Sequence, residues 1–539
     1  MLAIDNMELL KKIHSYNKGG KNVKKIILLA LTILILLFSF SIEGNDENSK
    51  SNQKNKYVIY NMEQRPKNLI MTDNKNVREK DLIVSLFEGL VSLNDKGEIV
   101  PALCKEYNVS EDGIQYTFNL RENIRYSNGE KITANDFVQF FEEFLCDEKN
   151  IYREDLNCIF GVKQFINDTE NFSNVAIKAI DEKTLAIRLN NPCENFIYML
   201  SKPVMSLRKY TALKNENTIT KDTLFTGPFI IQDIAEDNEI VISKNENYYK
   251  NNLVTNEKII ISFINDKEKA LAYFEEKESK LDIMIDPPIN ELSRLEEKNF
   301  LQGFDGDSSV YINFNLNKDL ITTDLNFRRA INESMSKEFF IQQICKEFGN
   351  VASCYGADQC GKFSSYGNNN LALRYLKNSK YKDEVITFLY KNNPIEKRIA
   401  EDLSKDIKDD LDIDIKLKAY NNDEELTKNN KFHMILELDN NRDKDKYFLN
   451  LSSEKYKEFY GFANEKYDKS VQQLLGEKYN KDKIEIYEQC EDLLREELPI
   501  IPIYNLNTVL CKKNNIENIY INKHGNIVLC NLKKLNLKE

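Results

Sequence analysis

The residues of this 539-residue chain that could do chemistry are few and scattered. Its three histidines, His14, His433 and His524, stand far apart in sequence. No Gly-x-Ser-x-Gly elbow presents a serine nucleophile. Gly19-Gly20-Lys21 lacks the earlier glycine that a phosphate-cradling loop needs. The acidic pairs Asp409-Asp410 and Asp412-Asp414 flank a helix-to-strand turn, where solvated faces explain them better than metal or acid–base roles. Ten cysteines run from Cys104 to Cys530 without a CxxC or a Cys/His zinc spacing. Only Cys354 and Cys360 stand near one another, across a Gly-containing loop. Mostly free thiols are expected, with one or two disulfides as the alternative. No catalytic constellation emerges, so the chain is read as no enzyme, with no cofactor and no metal. Binding is the chemistry that remains.

The elements that would position a binding site are easier to read. Leu82, Ile83, Leu86, Phe87 and Leu90 form the apolar face of a helix end that runs into a turn at Asn94–Gly97. Gln115–Leu120 alternates as a strand, and Asn128-Gly129 is a second turn. Val385–Tyr390 reads as a strand, followed by a helix with Ile395, Ile399, Leu403 and Ile407 on one face. Ile413, Ile415 and Leu417 then alternate in a second strand. Strand, helix and strand at this spacing make a right-handed βαβ unit.

The letters themselves carry a further signal. Residues 86–137 read LFEGLVSLNDKGEIVPALCKEYNVSEDGIQYTFNLRENIRYSNGEKITANDF. This stretch resembles the family 5 extracellular solute-binding proteins, the oligopeptide- and dipeptide-binding components of ABC importers. They carry LFEGL, D-G-x-x-x-P-A-L-A, S-D-D-G-x-x-Y-T-F-x-L-R and W-S-D-G-x-x-x-T-A-x-D-F. Tyr126 stands where the family has tryptophan. Further matches are NVAIKAIDEKTLAIRL at 174–189, Phe225-Thr-Gly-Pro-Phe229 with Asn245-Glu-Asn-Tyr-Tyr249, and Val310–Asn315 with DLNFRRAI at 324–331. Pro499-Ile-Ile-Pro-Ile-Tyr504 is similar to the family's P-x-I-P-L-Y. The resemblance spans Tyr57 to Leu532.

What it implies is an α/β, two-lobed periplasmic-binding-protein-like fold of class II and the large peptide-binding type, with an extra subdomain inserted in lobe I. The implied divisions are lobe I at 57–93, 223–309 and 500–539, the inserted subdomain at 94–222, and lobe II at 310–499. Tyr311, Asn313, Asn315, Ile500 and Tyr504 are the implied hinge. One ligand-binding edge falls near Val77, Arg78 and Glu79, and the facing edge at Leu438, Asp439, Asn440 and Asn441. This second edge departs from the family: its Gly-Trp pair is gone and the chain is about one residue short. The acid for a peptide's amino end stays open between Asp439 and Asp443, and strict counting lands on Asn441 or Arg442. The implied partners are a peptide or other small ligand and an ABC permease, with the protein a monomer. A nickel chelate or sugar as ligand, or a sensor or assembly protein that has lost transport, are the alternatives.

Bulk properties agree with an exported binding protein. The chain exceeds the roughly 250–300 residues at which a single core stops growing, so two or three domains are expected. Net charge is −11, and the first 25 residues carry six lysines against Asp5 and Glu8, leaving the body near −15. That balance argues against nucleic acid as a partner. A basic cytoplasmic segment (1–25) precedes an apolar run (26–42) and a polar linker (43–56), the pattern of a signal peptide or membrane anchor. The body is expected on the outer face of the membrane, anchored by this run or released by cleavage near Ser41. The first cysteine is Cys104, so no lipid-bearing cysteine follows the run. Labelled palmitate should therefore not be recovered on the mature chain; its recovery would overturn this expectation.

Overall fold

Val58–Met62 (β1) is buried at all five positions, so it must be covered on both faces. It is paired in parallel on each side, as a strand at the centre of an α/β sheet should be. The structure is a computed structural model that describes residues 57–535 apart from 73–77, 194, 217–218, 236–237, 277–279, 345, 356–362, 429–430, 440–443 and 477–479. The apolar run at 26–42 lies outside the described residues. Among those described, no helix is long and apolar enough to cross a membrane.

After β1 comes the helix Lys80–Leu86 (α1), and later the main-sheet strands Phe229–Ala235 (β2), Glu239–Lys244 (β3), Lys258–Phe263 (β4) and Ile283–Ile285 (β5). The chain continues through Leu301–Phe314 (β6), Gly349–Val351 (β7), Ile386–Lys391 (β8), Ile415–Tyr420 (β9), Met434–Asp439 (β10) and Ile500–Lys512 (β11). The order across the sheet is β9-β8-β10-β6-β11-β5-β1-β4-β3-β2, with β7 on β11. β6 and β11 thus join two α/β lobes. One holds β1 to β5, the other β7 to β10.

Each lobe has its own core. Lobe II buries Val310, Ile312, Phe388, Ile399, Leu403, Ile407, Met434 and Leu436 in one cluster. The expected βαβ unit is present: β8 and β9 pair in parallel, and the helix Pro394–Leu411 between them buries Ile399, Leu403 and Ile407. Asn393 caps that helix by accepting from Glu396 N, and Pro394 fits the first turn, where its missing N–H costs nothing. Lobe I has a large cluster on one face of the sheet and a smaller one, built on Ile59, Ala270, Leu271 and Phe274, elsewhere.

The chain between α1 and β2 forms the inserted subdomain. Its four-stranded antiparallel sheet runs Cys104–Val109, Gln115–Leu120, Thr184–Arg188, Ile177–Ala179. The helix Ala134–Cys146 covers it with Phe137, Phe140, Phe141 and Phe144. Thr133 and Asp136 form a capping box at its start. This subdomain shares lobe I's large core cluster, so the two are packed as one body.

Lys337 is an anomaly in lobe II. It is 1% exposed, and its Nζ donates to the Pro502 carbonyl at 2.9 Å. Burial pushes its pKa down to about 7, with Glu333 opposing. The unfolded chain then binds a proton that the folded chain does not, across the window from about pH 7 to the ordinary lysine value. Stability should rise with pH there, by up to about 1.4 kcal/mol per pH unit from this group. Subtracting the urea-unfolding profile of Lys337→Met isolates the effect; a flat difference across the window would refute it.

Candidate functional site

β6 and β11 run antiparallel through both lobes. Leu301–Phe304 pairs with Thr508–Cys511 next to β5, whereas Ser308–Asn313 pairs with Ile500–Leu506 next to β10. The register shifts between Phe304 and Ser308. Gly306 sits in that gap, where a methyl group would run into the Leu506 carbonyl oxygen. No larger residue fits without opening the crossing. Gly306→Ala should therefore cost about 1–3 kcal/mol by overpacking, read as a lowered urea midpoint; an unchanged midpoint would show the crossing to be more yielding.

Just past the crossing, on the lobe II side, a polar row runs across four strands. Asp439 on β10 lies opposite Ser309 on β6, Ser309 opposite Asn505 on β11, and Asn505 opposite Asn350 on β7. Ser309 Oγ donates to Asn505 Oδ1 at 2.9 Å. Two residues along, Glu437 is held by Asn313 Nδ2 and by the Tyr460 hydroxyl, and Tyr456 donates to Asn313 Oδ1. Tyr311 stacks on Tyr447 with ring centroids 5.4 Å apart. By strand alternation Ser309, Tyr311 and Asn313 share one face of β6, and Val310, Ile312 and Phe314 enter the core from the other. Tyr311 is itself almost fully buried.

On the lobe I side, charged groups cluster at the ends of β1 and β5. Asp81 is fully buried and accepts from the Tyr60 hydroxyl (2.8 Å), Asn526 Nδ2 (3.1 Å) and Ile527 N (3.0 Å). Arg78 Nη1 lies 3.6 Å from Asp81 Oδ2, and its Nη2 donates to the Gly525 carbonyl. Burial pushes the Asp81 carboxyl above its usual value despite these donors. Asp286 follows β5 in a left-handed backbone conformation, φ 48°, and its N donates to Val509 O at 2.8 Å. Its carboxyl is also pushed up by burial, against the pull of Lys267 and Arg78. Asp286 and Asp439 thus stand on opposite sides of the crossing, Asp286 just after β5 and Asp439 at the end of β10.

The expected site residues fall as follows. Val77, Asn440 and Asn441 lie outside the described residues. Glu79 is the N-cap of α1 in helical conformation and its carbonyl accepts from Leu82 N. Arg78 and Glu79 form a turn that leads into α1. The Arg78 guanidinium turns inward to Asp81 and Gly525. Leu438 is opposite Val310 and packs against the lobe II core, while Asp439 ends its strand beside Ser309. The expected hinge residues Tyr311, Asn313, Ile500 and Tyr504 lie within the lobe II half of the strand pair, past the register shift. Asn315 follows β6, and its side chain donates to Phe432 O at 2.9 Å. Asp81, Asp286, Ser309, Asn350 and Asn505 were not anticipated. Asp286 had a local signal in the Pro287-Pro288 that follows it, but the polar row exists only through strand pairing.

The quoted motifs prove to be structural. Leu86 O accepts from Thr226 N and Gly227 N, and a methyl group on Gly227 would collide with the backbone of Leu86 and Phe87. Glu88 is held by the Tyr248 hydroxyl at 2.8 Å, and Asn245 Nδ2 donates to Gly227 O at 2.9 Å. Tyr126, standing for tryptophan, is buried and donates to Asp136 at 3.0 Å. All but the last of these contacts join the chain leaving α1 and the loops flanking β2 and β3; the last lies within the subdomain. A 370 Å³ pocket lies in the same region, lined by Glu88, Tyr248, Lys250 and Tyr520, away from the crossing.

Comparison with known proteins places this architecture. The family described as "Bacterial extracellular solute-binding proteins, family 5 Middle" matches residues 98–458. The dipeptide-binding protein DppE of Bacillus subtilis is 24% identical over 542 residues, covering 94% of this chain and 99% of that protein. The structure of the Escherichia coli murein tripeptide binding protein MppA aligns with a TM-score of 0.70 at 21% identity, over 89% of this chain and 99% of that one. Listeria monocytogenes OppA bound to peptide aligns with a TM-score of 0.68 at 18% identity and the same coverage. Both share the two-lobed fold.

Proposed function

The chain belongs to the bacterial extracellular solute-binding proteins of family 5, and from that premise we propose that it captures peptides between its lobes and delivers them to an ABC permease in the membrane. The observation that carries this reading is the likeness, along nearly its whole length, to proteins named for dipeptide and oligopeptide binding. The strand crossing, flanked by the polar row of lobe II and the Asp286–Arg78 cluster of lobe I, supports it. An extended peptide laid across such a cleft meets main chain and polar side chains from both lobes. A nickel chelate, a sugar or a transport-free role has no comparable support.

In this reading lobe I comprises 57–93, 223–309 and 500–539, with the subdomain at 94–222 and lobe II at 310–499, except that Ser309 and the start of β11, Ile500–Leu506, pair on the lobe II side of the crossing. Lobe closure pivots on the register shift at Gly306 and Leu506, because the sheet is least regular there. The ligand site draws on Arg78 and Glu79 at the start of α1 and on Leu438 and Asp439 at the end of β10, and Val77, Asn440 and Asn441 adjoin them in sequence. The protein works as a monomer on the outer side of the membrane, held by the apolar run at 26–42 or released from it, and it does not cleave its cargo. Mass spectrometry of small molecules released from the purified protein by acid tests the proposal. A set of peptide masses is expected; a non-peptide ligand, or cleavage of added peptides, would overturn it.

A further inference from the structure

Two cysteines far apart in sequence meet in the inserted subdomain. The Ile159–Leu189 bridge and a hydrogen bond from Asn190 N to Cys158 O (2.8 Å) fix the backbone at Cys158. They hold it against the chain leaving the strand Thr184–Arg188. Asn190 Nδ2 adds a bond to Asn157 O at 3.0 Å. Three residues on, the Cys193 carbonyl accepts from Phe196 N at 3.1 Å as the short helix Phe196–Leu200 begins. The two thiols lie within hydrogen-bonding reach of one another. Both thiols are free and half-buried, unlike the buried Cys104, Cys354, Cys490 and Cys511.

We propose that Cys158 and Cys193 form a dithiol site that closes to a disulfide by exchange with a low-molecular-weight disulfide outside the cell. The hydrogen bond from Cys158 lowers the Cys193 thiol below the ordinary cysteine value, helped by the backbone N–H groups of Asn195 and Phe196 and by the Lys483 charge, against the opposing effect of burial. The same contact, together with burial, raises Cys158. Cys193 is therefore the attacking thiolate and Cys158 the resolving thiol. The Cys193 sulfur attacks one sulfur of the small disulfide, whose S–S bond breaks and releases one small thiolate. Cys158 then loses its proton to solvent and attacks the Cys193 sulfur, releasing the second small thiolate. One disulfide is consumed, one is formed, and two small thiols leave, so no other oxidant enters. The product ties the backbone bridge at Cys158 to the turn at Cys193, two segments the fold already holds together.

The test uses the full chain, reduced and then incubated with oxidised glutathione. It is quenched in acid, alkylated under denaturing conditions and digested without reduction. Peptides bearing Cys158 and Cys193 should be recovered cross-linked, whereas the exposed, solitary Cys146 should carry a single glutathione adduct. In C158S, which conserves the side chain's size, Cys193 should retain the mixed disulfide that Cys158 would have resolved. Recovery of both cysteines alkylated, or each with its own glutathione while Cys146 reacts normally, would overturn the proposal. So would a Cys193 that stays unmodified in C158S.

Discussion

Asp81→Asn should cost lobe I about 3–5 kcal/mol, the loss seen when one partner of a buried ion pair is removed. Every group around this carboxylate donates: the Tyr60 hydroxyl, Asn526 Nδ2, Ile527 N and the Arg78 guanidinium. An amide has one acceptor oxygen and must point its NH₂ at another donor, so at least one contact becomes repulsive. Arg78 also loses its nearest counter-charge. The cluster joins β1, α1 and the chain around Asn526 and Ile527, so its loss should loosen the C-terminal segment first. Urea unfolding with hydrogen exchange resolved by segment checks this. A midpoint within error of the parent, with unchanged protection at Ile527, would contradict it.

Asp439→Asn should weaken binding of free peptides by about 2–5 kcal/mol if this acid receives the ligand's ammonium group. A buried unpaired ammonium costs several kcal/mol, so a site that reads the amino end must supply a partner. Asp439 ends β10 beside Ser309, in the polar row next to the crossing. Glu79, the better placed of the two by counting from the LFEGL motif, is the other candidate, and Glu79→Gln belongs in the same series. N-acetylated peptides should bind the parent poorly. Calorimetry on both variants and both peptide forms separates the cases. Acetylation without effect, together with two silent substitutions, would show that the amino end is not read at either acid.

Much of the architecture was legible because it rests on local rules. The βαβ unit of lobe II followed from helical spacing of Ile399, Leu403 and Ile407 between two alternating strands. The helix Leu325–Ser334 begins where Asp324 stands, and that residue caps it by accepting from Asn326 N and Phe327 N. The residues of the family motifs make backbone and side-chain contacts around α1 and within the subdomain. What stayed hidden depends on partners distant in sequence. Alternation along β6 looks the same on both sides of the crossing, so the register shift at Gly306 cannot be seen without Leu506. The inward turn of the Arg78 guanidinium depends on Gly525, 447 residues later. Cys158 and Cys193 are brought together by the Ile159–Leu189 bridge, whereas the pair judged by nearness in sequence was Cys354 with Cys360, and Cys360 lies outside the described residues.

The central claim, that two lobes close on a peptide, is tested most directly by small-angle scattering. The protein would be stripped of ligand by unfolding and refolding, then measured alone and with saturating peptide. Contacts to both lobes exist only in the closed form, so ligand should shift the population towards it. The radius of gyration should fall on addition of peptide and stay unchanged with a nickel chelate or a sugar. A scattering curve that peptide leaves unaltered at saturation would contradict the account.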